Sequence, residues 1–247
     1  MALRSKIVSL LAAALSLGVV QAASAADMPT KAPMAAPGVP FSWSGIYFGG
    51  SVGGAWGSRD FVYSVGTFPA PNPTDFTASV VGGGFLGAQW QWNSLVLGAE
   101  ATFQGMSLKN TETCPNPAFN CVTSANQFWT VGPRVGWSLG QFMIYGTGGY
   151  ASMKTKYEAD FVAGGATLDS GSSWNHGWFA GGGADWMIPG IPGLILGVDY
   201  KHVRANSATV TPTTPAGAPA PGDQYTMSAK ADVIQARLSY LWNWTGH

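Results

Sequence analysis

Two glycine-rich segments have the spacing of motifs that carry out chemistry in other proteins. Gly49-Gly50-Ser51-Val52-Gly53 matches the Gly-x-Ser-x-Gly nucleophile elbow, and Gly82, Gly84 and Gly87 match a Gly-x-Gly-x-x-Gly phosphate-binding loop. Both motifs need a helix directly after the glycines. Here the first lies inside a glycine-rich strand pattern, and the second runs into Ala88-Gln89-Trp90-Gln91-Trp92, which alternates like a strand. We therefore predict no catalytic residues and no cofactor from these motifs.

The chain has two cysteines, Cys114 and Cys121. In a protein exported to an oxidising compartment, such a pair forms a disulfide by default. A metal site is one alternative, but it would need histidines close by, and His176, His202 and His247 lie outside this segment. A second alternative leaves both thiols unpaired. We predict the disulfide, and no metal site.

The first residues have the features of a secretory signal peptide. Arg4 and Lys6 precede an apolar run over 7–20, and Ala23-Ser24-Ala25 supplies the small residues that a signal peptidase requires. The apolar run is too short for a transmembrane helix, which needs about 20 apolar residues. We predict a signal peptide over 1–25. Residues 26–42 contain four prolines, which disfavour both helix and sheet, and are predicted to form an extended periplasmic leader.

The composition excludes several broad classes of protein. Only 10% of the residues are charged, compared with about 25% in a typical soluble domain. Twelve basic and twelve acidic residues cancel, so no basic field exists for nucleic acid. The 11 tryptophans and 34 glycines fit a β-rich or membrane-embedded chain better than a disordered one.

Beyond Trp43, eight segments with strand-like composition are separated by turn-forming residues. We expect the strands at 44–57, 76–92, 95–107, 126–139, 141–156, 174–187, 194–204 and 229–244. Three connections between them are short, at 93–94, around Gly140 and at 188–193. The other four, at 58–75, 108–125, 157–173 and 205–228, are long. Alternating short and long connections are typical of an up-and-down barrel in an outer membrane.

Most of these segments alternate between an apolar and a polar face, although the facing of the fifth cannot be assigned. The predicted polar face carries six charges that balance in sign and would pair inside a lumen: Glu100, Arg134, Asp185, Asp199, Lys201 and Arg237. Six tryptophans gather near the short connections, as an interfacial aromatic girdle would: Trp90, Trp92, Trp137, Trp186, Trp242 and Trp244. An apolar face alone would also fit a soluble barrel. The girdle and the charges favour a membrane.

Several segments resemble the small outer-membrane β-barrel proteins of alphaproteobacteria, the porin-family or OmpA-like barrels. The similarity lies in residues 43–50, 87–93, 97–100, 145–151 and 177–186, and it extends over nearly all of the chain from 43 to 247. It implies an all-β, eight-stranded antiparallel transmembrane barrel that is exposed at the cell surface. In this family the C-terminal strand ends on an aromatic residue. Here Thr245-Gly246-His247 follow, so the assembly signal would be Tyr240, Trp242 and Trp244.

The resulting prediction is a structural, surface-exposed barrel of a Gram-negative outer membrane, nominally porin-like and not an enzyme. Its expected partners are membrane lipid, lipopolysaccharide and the barrel assembly machinery. A narrow ion or solute channel is an alternative, because one face of the strands is polar. A lipid-modifying enzyme is another, because His176 and His202 lie near the long-connection ends of their strands. An interior of eight strands is only wide enough for side chains to fill, which favours a structural charge network.

Overall fold

The computed structural model describes residues 42–64, 70–71, 74–114, 118–164, 167–211, 213–214, 216, 218 and 224–244. The predicted signal peptide and residues 26–41 of the predicted leader lie outside these residues. The strands are β1 (Gly45–Ser64), β2 (Ala70–Pro71), β3 (Thr74–Trp92), β4 (Leu95–Thr113), β5 (Phe119–Leu139), β6 (Phe142–Phe161), β7 (Thr167–Met187), β8 (Leu194–Val210) and β9 (Gln224–Trp242). Among the described residues, no helix is long and apolar enough to cross a membrane.

The eight long strands form a closed antiparallel ring. Each pairs with the next along the chain, and β1 pairs with β9, with Phe48 opposite Tyr240. The two-residue strand β2 pairs only with the far end of β1, where Val62 lies opposite Pro71. Closure leaves no long sheet edge with unpaired backbone groups, which is the requirement for strands in hydrocarbon. The predicted all-β, eight-stranded fold is confirmed.

The strands are longer than the sequence predicted at the end opposite the short turns. β5 begins at Phe119 instead of 126, and β7 begins at Thr167 instead of 174. The predicted long loops 108–125 and 157–173 are therefore largely β-sheet, so their predicted extent was wrong. In these segments the strands carry polar residues such as Asn120 and Ser124, so apolar and polar residues do not alternate. A strand without this alternation is predicted as a loop from the sequence.

The outer wall of the barrel is apolar in a continuous band. Leu196, Val198 and Leu238 are each about half exposed, while Ser239 and Asp199 on the opposite face are buried. The same division holds along β3, β4, β5 and β7, so the predicted facing is confirmed. In β6, whose facing was not assigned, Ile144 points outward and Met143 and Tyr145 point inward.

The interior is less polar than predicted. Three apolar clusters lie in the described interior: one near the short turns, a second farther along the strands and a small third one at the disulfide end. The lower apolar layer, as we call the first, consists of Trp43, Tyr47, Phe85, Val96, Met143, Tyr145, Met187, Ile195 and Leu241. The upper apolar layer includes Val81, Met106, Leu108, Phe128, Met153, Phe179, Val203 and Val233, with six alanines. The predicted polar lumen is thus confined to part of the interior, since inward side chains in so narrow a ring pack mainly on one another.

Trp43 closes the barrel at the short-turn end. Its side chain is fully buried, and its indole Nε1 donates to the carbonyl of Gly140 at 3.1 Å. Its backbone N donates to Gln91 Oε1 at 2.7 Å, and its carbonyl accepts from Gln89 Nε2 at 2.8 Å. Because three hydrogen bonds hold this one residue across the opening, it forms a fixed floor beneath the lower apolar layer.

The predicted disulfide between Cys114 and Cys121 is present. It ties the end of β4 to the beginning of β5, where the backbone N of Cys114 also donates to the carbonyl of Phe119 at 2.9 Å. Cys121 packs inside the ring with Tyr157 and Met227. The far end of the barrel is therefore cross-linked as well as hydrogen-bonded.

The facing of the apolar band can be tested with a charge placed at its centre. Val198→Arg would point a guanidinium at hydrocarbon and should lower the free energy of unfolding from bilayers by about 2–4 kcal/mol. Asn206→Arg, on the same strand and also exposed, lies beyond the band and should change it by less than about 0.5 kcal/mol. Reversible urea unfolding in lipid vesicles measures both. Equal effects of the two variants would contradict the assignment of the band to lipid.

Candidate functional site

The six charged residues predicted to share a lumen lie together in one buried layer, called here the ionic layer. Five strands contribute to it: Glu100 from β4, Arg134 from β5, Asp185 from β7, Asp199 and Lys201 from β8, and Arg237 from β9. Each residue is at most 5% exposed. Inward alternation on neighbouring strands places these side chains at matching positions in the ring.

Glu100 is the centre of the ionic layer. Arg237 donates from Nη1 to Oε1 at 3.0 Å and from Nη2 to Oε2 at 2.5 Å. Lys201 Nζ lies 3.3 Å from Oε1, and Arg134 Nη1 lies 3.5 Å from Oε2. The hydroxyl of Tyr47 also donates to Oε2, at 3.0 Å. One carboxylate is thus bound by three cations and a phenol, so it cannot move without breaking several contacts.

The other two carboxylates complete the balance of charge. Asp199 accepts from Arg237 Nη1 at 2.7 Å and lies 3.2 Å from Lys201 Nζ. Asp185 accepts a hydrogen bond from Arg134 Nη2. Three cations and three carboxylates give the layer a formal charge of zero. A layer with no net formal charge has no excess charge with which to attract ions of either sign.

Aromatic rings hold the two guanidinium groups from the side of the lower apolar layer. The Arg134 guanidinium lies 3.6 Å from the centre of the Tyr145 ring, and that of Arg237 lies 3.9 Å from the centre of the Phe85 ring. Arg237 Nη1 also donates to the Tyr145 hydroxyl at 3.1 Å. Tyr47, Phe85 and Tyr145 were not among the predicted site residues. Tyr47 and Phe85 stand at the inward parity of their strands, which was a usable signal, whereas Tyr145 lies on the strand whose facing could not be assigned.

The ionic layer lies between the two apolar layers. Along β9 the inward residues run from Val233 in the upper layer through Arg237 to Leu241 in the lower layer. Along β8 they run from Val203 to Ile195, with both charged residues between them. A hydrated path through the described barrel would have to cross apolar, ionic and apolar packing in turn.

The outer wall places the two histidines in separate clusters. His176 Nδ1 lies 3.2 Å from Ser152 Oγ, and it also contacts the Tyr150 hydroxyl. Sequence spacing could not show this serine, because it comes from the neighbouring strand β6. His202 Nδ1 lies 2.8 Å from Asp232 Oδ1. The serine is only 1% exposed, so it lacks the access that a nucleophile needs.

The chemical groups of hydrolytic or metal sites are not assembled elsewhere in the described part of the chain. No set of three or more His, Cys, Asp or Glu residues there could hold a metal ion. In the His176 cluster both hydroxyls contact the same ring nitrogen, Nδ1, and no contact between His176 and a carboxylate is found among the described residues. Nucleophilic triads, in contrast, orient the base with a third group. The two histidine clusters are therefore better described as polar contacts within an aromatic wall.

The six predicted girdle tryptophans project from the outer wall at the short-turn end. Trp90, Trp92, Trp137, Trp242 and Trp244 are exposed, and Trp186 is half-buried. Three of them form ring pairs: Trp90 packs on Trp244, with centroids 6.2 Å apart, and Trp186 packs on Phe142, with centroids 5.9 Å apart. The arrangement presents indole rings to the surroundings around one end of the apolar band.

Comparison with known proteins identifies the family. The sequence profile described as outer membrane protein beta-barrel domain matches residues 10–241. The chain is 32% identical over 195 residues to proteins named 31 kDa outer-membrane immunogenic protein in Brucella melitensis and Brucella suis, covering 73% of this chain and 80% of theirs.

A similar solved structure is that of the outer membrane protein OprG from Pseudomonas aeruginosa, with a TM-score of 0.48 and 10% sequence identity. That match covers 81% of this chain and 97% of the OprG chain. The profile match spans most of the sequence, and the Brucella relatives share enough identity and length to agree with it. The chain accordingly belongs to the outer membrane protein β-barrel family and resides in the outer membrane of a Gram-negative bacterium.

Proposed function

We propose that this barrel is a structural, surface-exposed component of the cell envelope that does not conduct ions or solutes. The single observation that carries this proposal is the sealed interior. The ionic layer, in which Glu100 is paired with cations from three other strands, is neutral and lies between the two apolar layers. Trp43 adds a floor at the short-turn end. A pore would require this packing to open.

A role at the cell surface is supported by the length of the strands. β5 and β7 each have 21 residues, which at about 3.3 Å per residue and a tilt of roughly 40° rise about 50 Å. The apolar band of an outer-membrane barrel is only about 25 Å tall. The remaining height projects beyond the membrane, where the disulfide stabilises the β4–β5 end. The immunogenic character named for the Brucella relatives fits such a projection.

The proposed route to the membrane uses both ends of the chain. Residues 1–25 would direct export, and 26–42 would form a periplasmic leader that ends at the Trp43 floor. Tyr240, Trp242 and Trp244 lie on the outer wall at the end of the last strand. They are available there for the barrel assembly machinery. The girdle tryptophans would settle the short-turn end at the periplasmic interface, and lipid and lipopolysaccharide would surround the band.

A narrow channel is the second candidate, and one observation favours it. The amide of Gln235 is buried beside the ionic layer, and neither its nitrogen nor its oxygen has a hydrogen-bond partner among the described residues. Asp199, opposite it in register, has one unpartnered carboxylate oxygen. Unpartnered polar atoms next to the ionic layer do not by themselves make a path across the apolar layers. A lipid-modifying enzyme is less well supported, because Ser152 is inaccessible.

Single-channel recording tests the sealed interior directly. The purified full chain, inserted in planar bilayers and shown to be folded by heat-modifiable migration, should give no discrete current steps. A known outer-membrane porin inserted in the same bilayers serves as the positive control. Reproducible unitary conductance would favour the channel candidate and overturn the structural one.

Removing the centre of the ionic layer should destabilise the barrel. Glu100→Gln leaves three buried cations with only the two carboxylates of Asp185 and Asp199. This uncompensated buried charge should lower the free energy of unfolding by about 3–5 kcal/mol. Glu158→Gln breaks the partly exposed pair with Lys156 and should cost no more than about 1 kcal/mol. Urea unfolding in vesicles, followed by gel migration, compares the two. A similar loss in both variants would contradict a central role for Glu100.

Surface exposure of the disulfide end can be measured on intact cells. After treatment with a membrane-impermeant reductant, the half-buried Cys114 should react with a membrane-impermeant maleimide, whereas Cys121 is packed inside the ring. For the control, Ser94→Cys is placed at a short turn in a background where both native cysteines are serine. That cysteine should react only once the outer membrane is permeabilised. The reverse pattern would mean that the long-strand end faces the periplasm.

A further inference from the structure

We propose that Arg204 and Lys230 form a binding site on the outer wall for the phosphate group of an outer-leaflet lipid. The two residues lie directly opposite each other on β8 and β9, and their side chains point outward. Like charges directly opposite across two strands repel each other. An anion between them would turn this repulsion into attraction. The proposal rests on the proposed function in requiring the long-strand end to face outward.

Neither cation is neutralised by the described part of the protein. Arg204 and Lys230 take part in no ion pair or hydrogen bond among the described residues. The carboxylate two residues along β9, Asp232, is held instead by His202 at 2.8 Å and by the Tyr200 hydroxyl at 2.6 Å. Because that carboxylate is occupied, the two cations remain free for an external anion.

The position of the pair along the wall matches the phosphate level of a bilayer. Outward residues of β8 run from Leu196 and Val198 through Tyr200 and His202 to Arg204, so the cation lies one outward position beyond the polar His202–Asp232 pair that ends the apolar band. Trp178, in register with Arg204 on β7, adds an interfacial ring. Aromatic residues sit at the headgroup level of membranes, and long cationic side chains reach along the wall to anionic headgroups.

The proposed occupant is a phosphorylated lipid and not a free anion or a protein, because the two cations lie on the same outer wall as the lipid-facing band, separated from it only by the His202–Asp232 pair. Acyl chains would lie against Val198 and Ile234, while the phosphate would bridge the two cations. Arginine supplies a planar fork of donors that suits phosphate, and lysine supplies a point charge. One bound lipid would therefore be anchored at both its polar and its apolar parts.

The test measures retention of lipid A by the full-length chain in phosphatidylcholine nanodiscs. Native mass spectrometry across a titration of diphosphorylated lipid A should show one retained molecule per barrel. Arg204→Gln and Lys230→Gln should each weaken apparent binding about fivefold, and the double variant about 25-fold. Lys109→Gln, which removes an exposed cation on β4, should leave binding unchanged. Heat-modifiable migration verifies that every variant is folded.

A second lipid separates phosphate recognition from binding of acyl chains. Lipid A with both phosphates removed should be retained at least tenfold less well by the unmodified chain. Equal retention of the two lipids, or equal retention by the double variant and the unmodified chain, would overturn the proposal. A sealed, surface-labelled barrel that retains no phosphorylated lipid would overturn this inference alone and leave the proposed function standing.

Discussion

Burial of three carboxylates and three cations in a ring of eight strands is the constraint on which the rest of the structure depends. Charges removed from water are tolerated only when paired and hydrogen-bonded, and Glu100 achieves this through partners on β5, β8 and β9. Their geometry fixes which residues point inward. A register slip of one residue would expose the whole set to lipid, so the same pairing determines the apolar outer wall.

The interior and the wall therefore have different tasks. Inside, the ionic layer is enclosed by apolar packing and by Trp43, so side chains fill the described part of the cylinder. Outside, the described band is apolar between two aromatic ends, and polar groups such as His202 and Asp232 lie where the strands leave it. Arg204 and Lys230 stand at that border, beyond the hydroxyl of Tyr200. A protein built this way would interact through its wall and its projecting end.

Much of this architecture could be predicted from the sequence, because membrane strands impose strict alternation. Alternation along the strands predicted which charged residues point inward and which tryptophans point outward. The export signal predicted the disulfide between the two cysteines. The apolar inward residues could not be predicted, since Phe128 and Met143 satisfy alternation equally well in a soluble core. Strand ends were underestimated because segments such as 119–125 lie beyond hydrocarbon and carry polar residues on the sheet. Contacts between neighbouring strands, such as that of Ser152 with His176, can be predicted only if the pairing register of the two strands is known. The spacing of residues within one strand does not give that register.

The contact between Glu100 and Arg237 joins residues 137 positions apart. The Glu100 carboxylate on β4 therefore lacks its contact with Arg237 until β9, the last strand, has joined the sheet. Contacts between such distant residues slow folding, because a large loop must close before they form. The arrival of β9 simultaneously closes the ring against β1 and neutralises the interior. Closure of the ring and neutralisation of the buried charge by Arg237 are thus one event. A partly assembled barrel is for this reason an unstable species and not a resting intermediate.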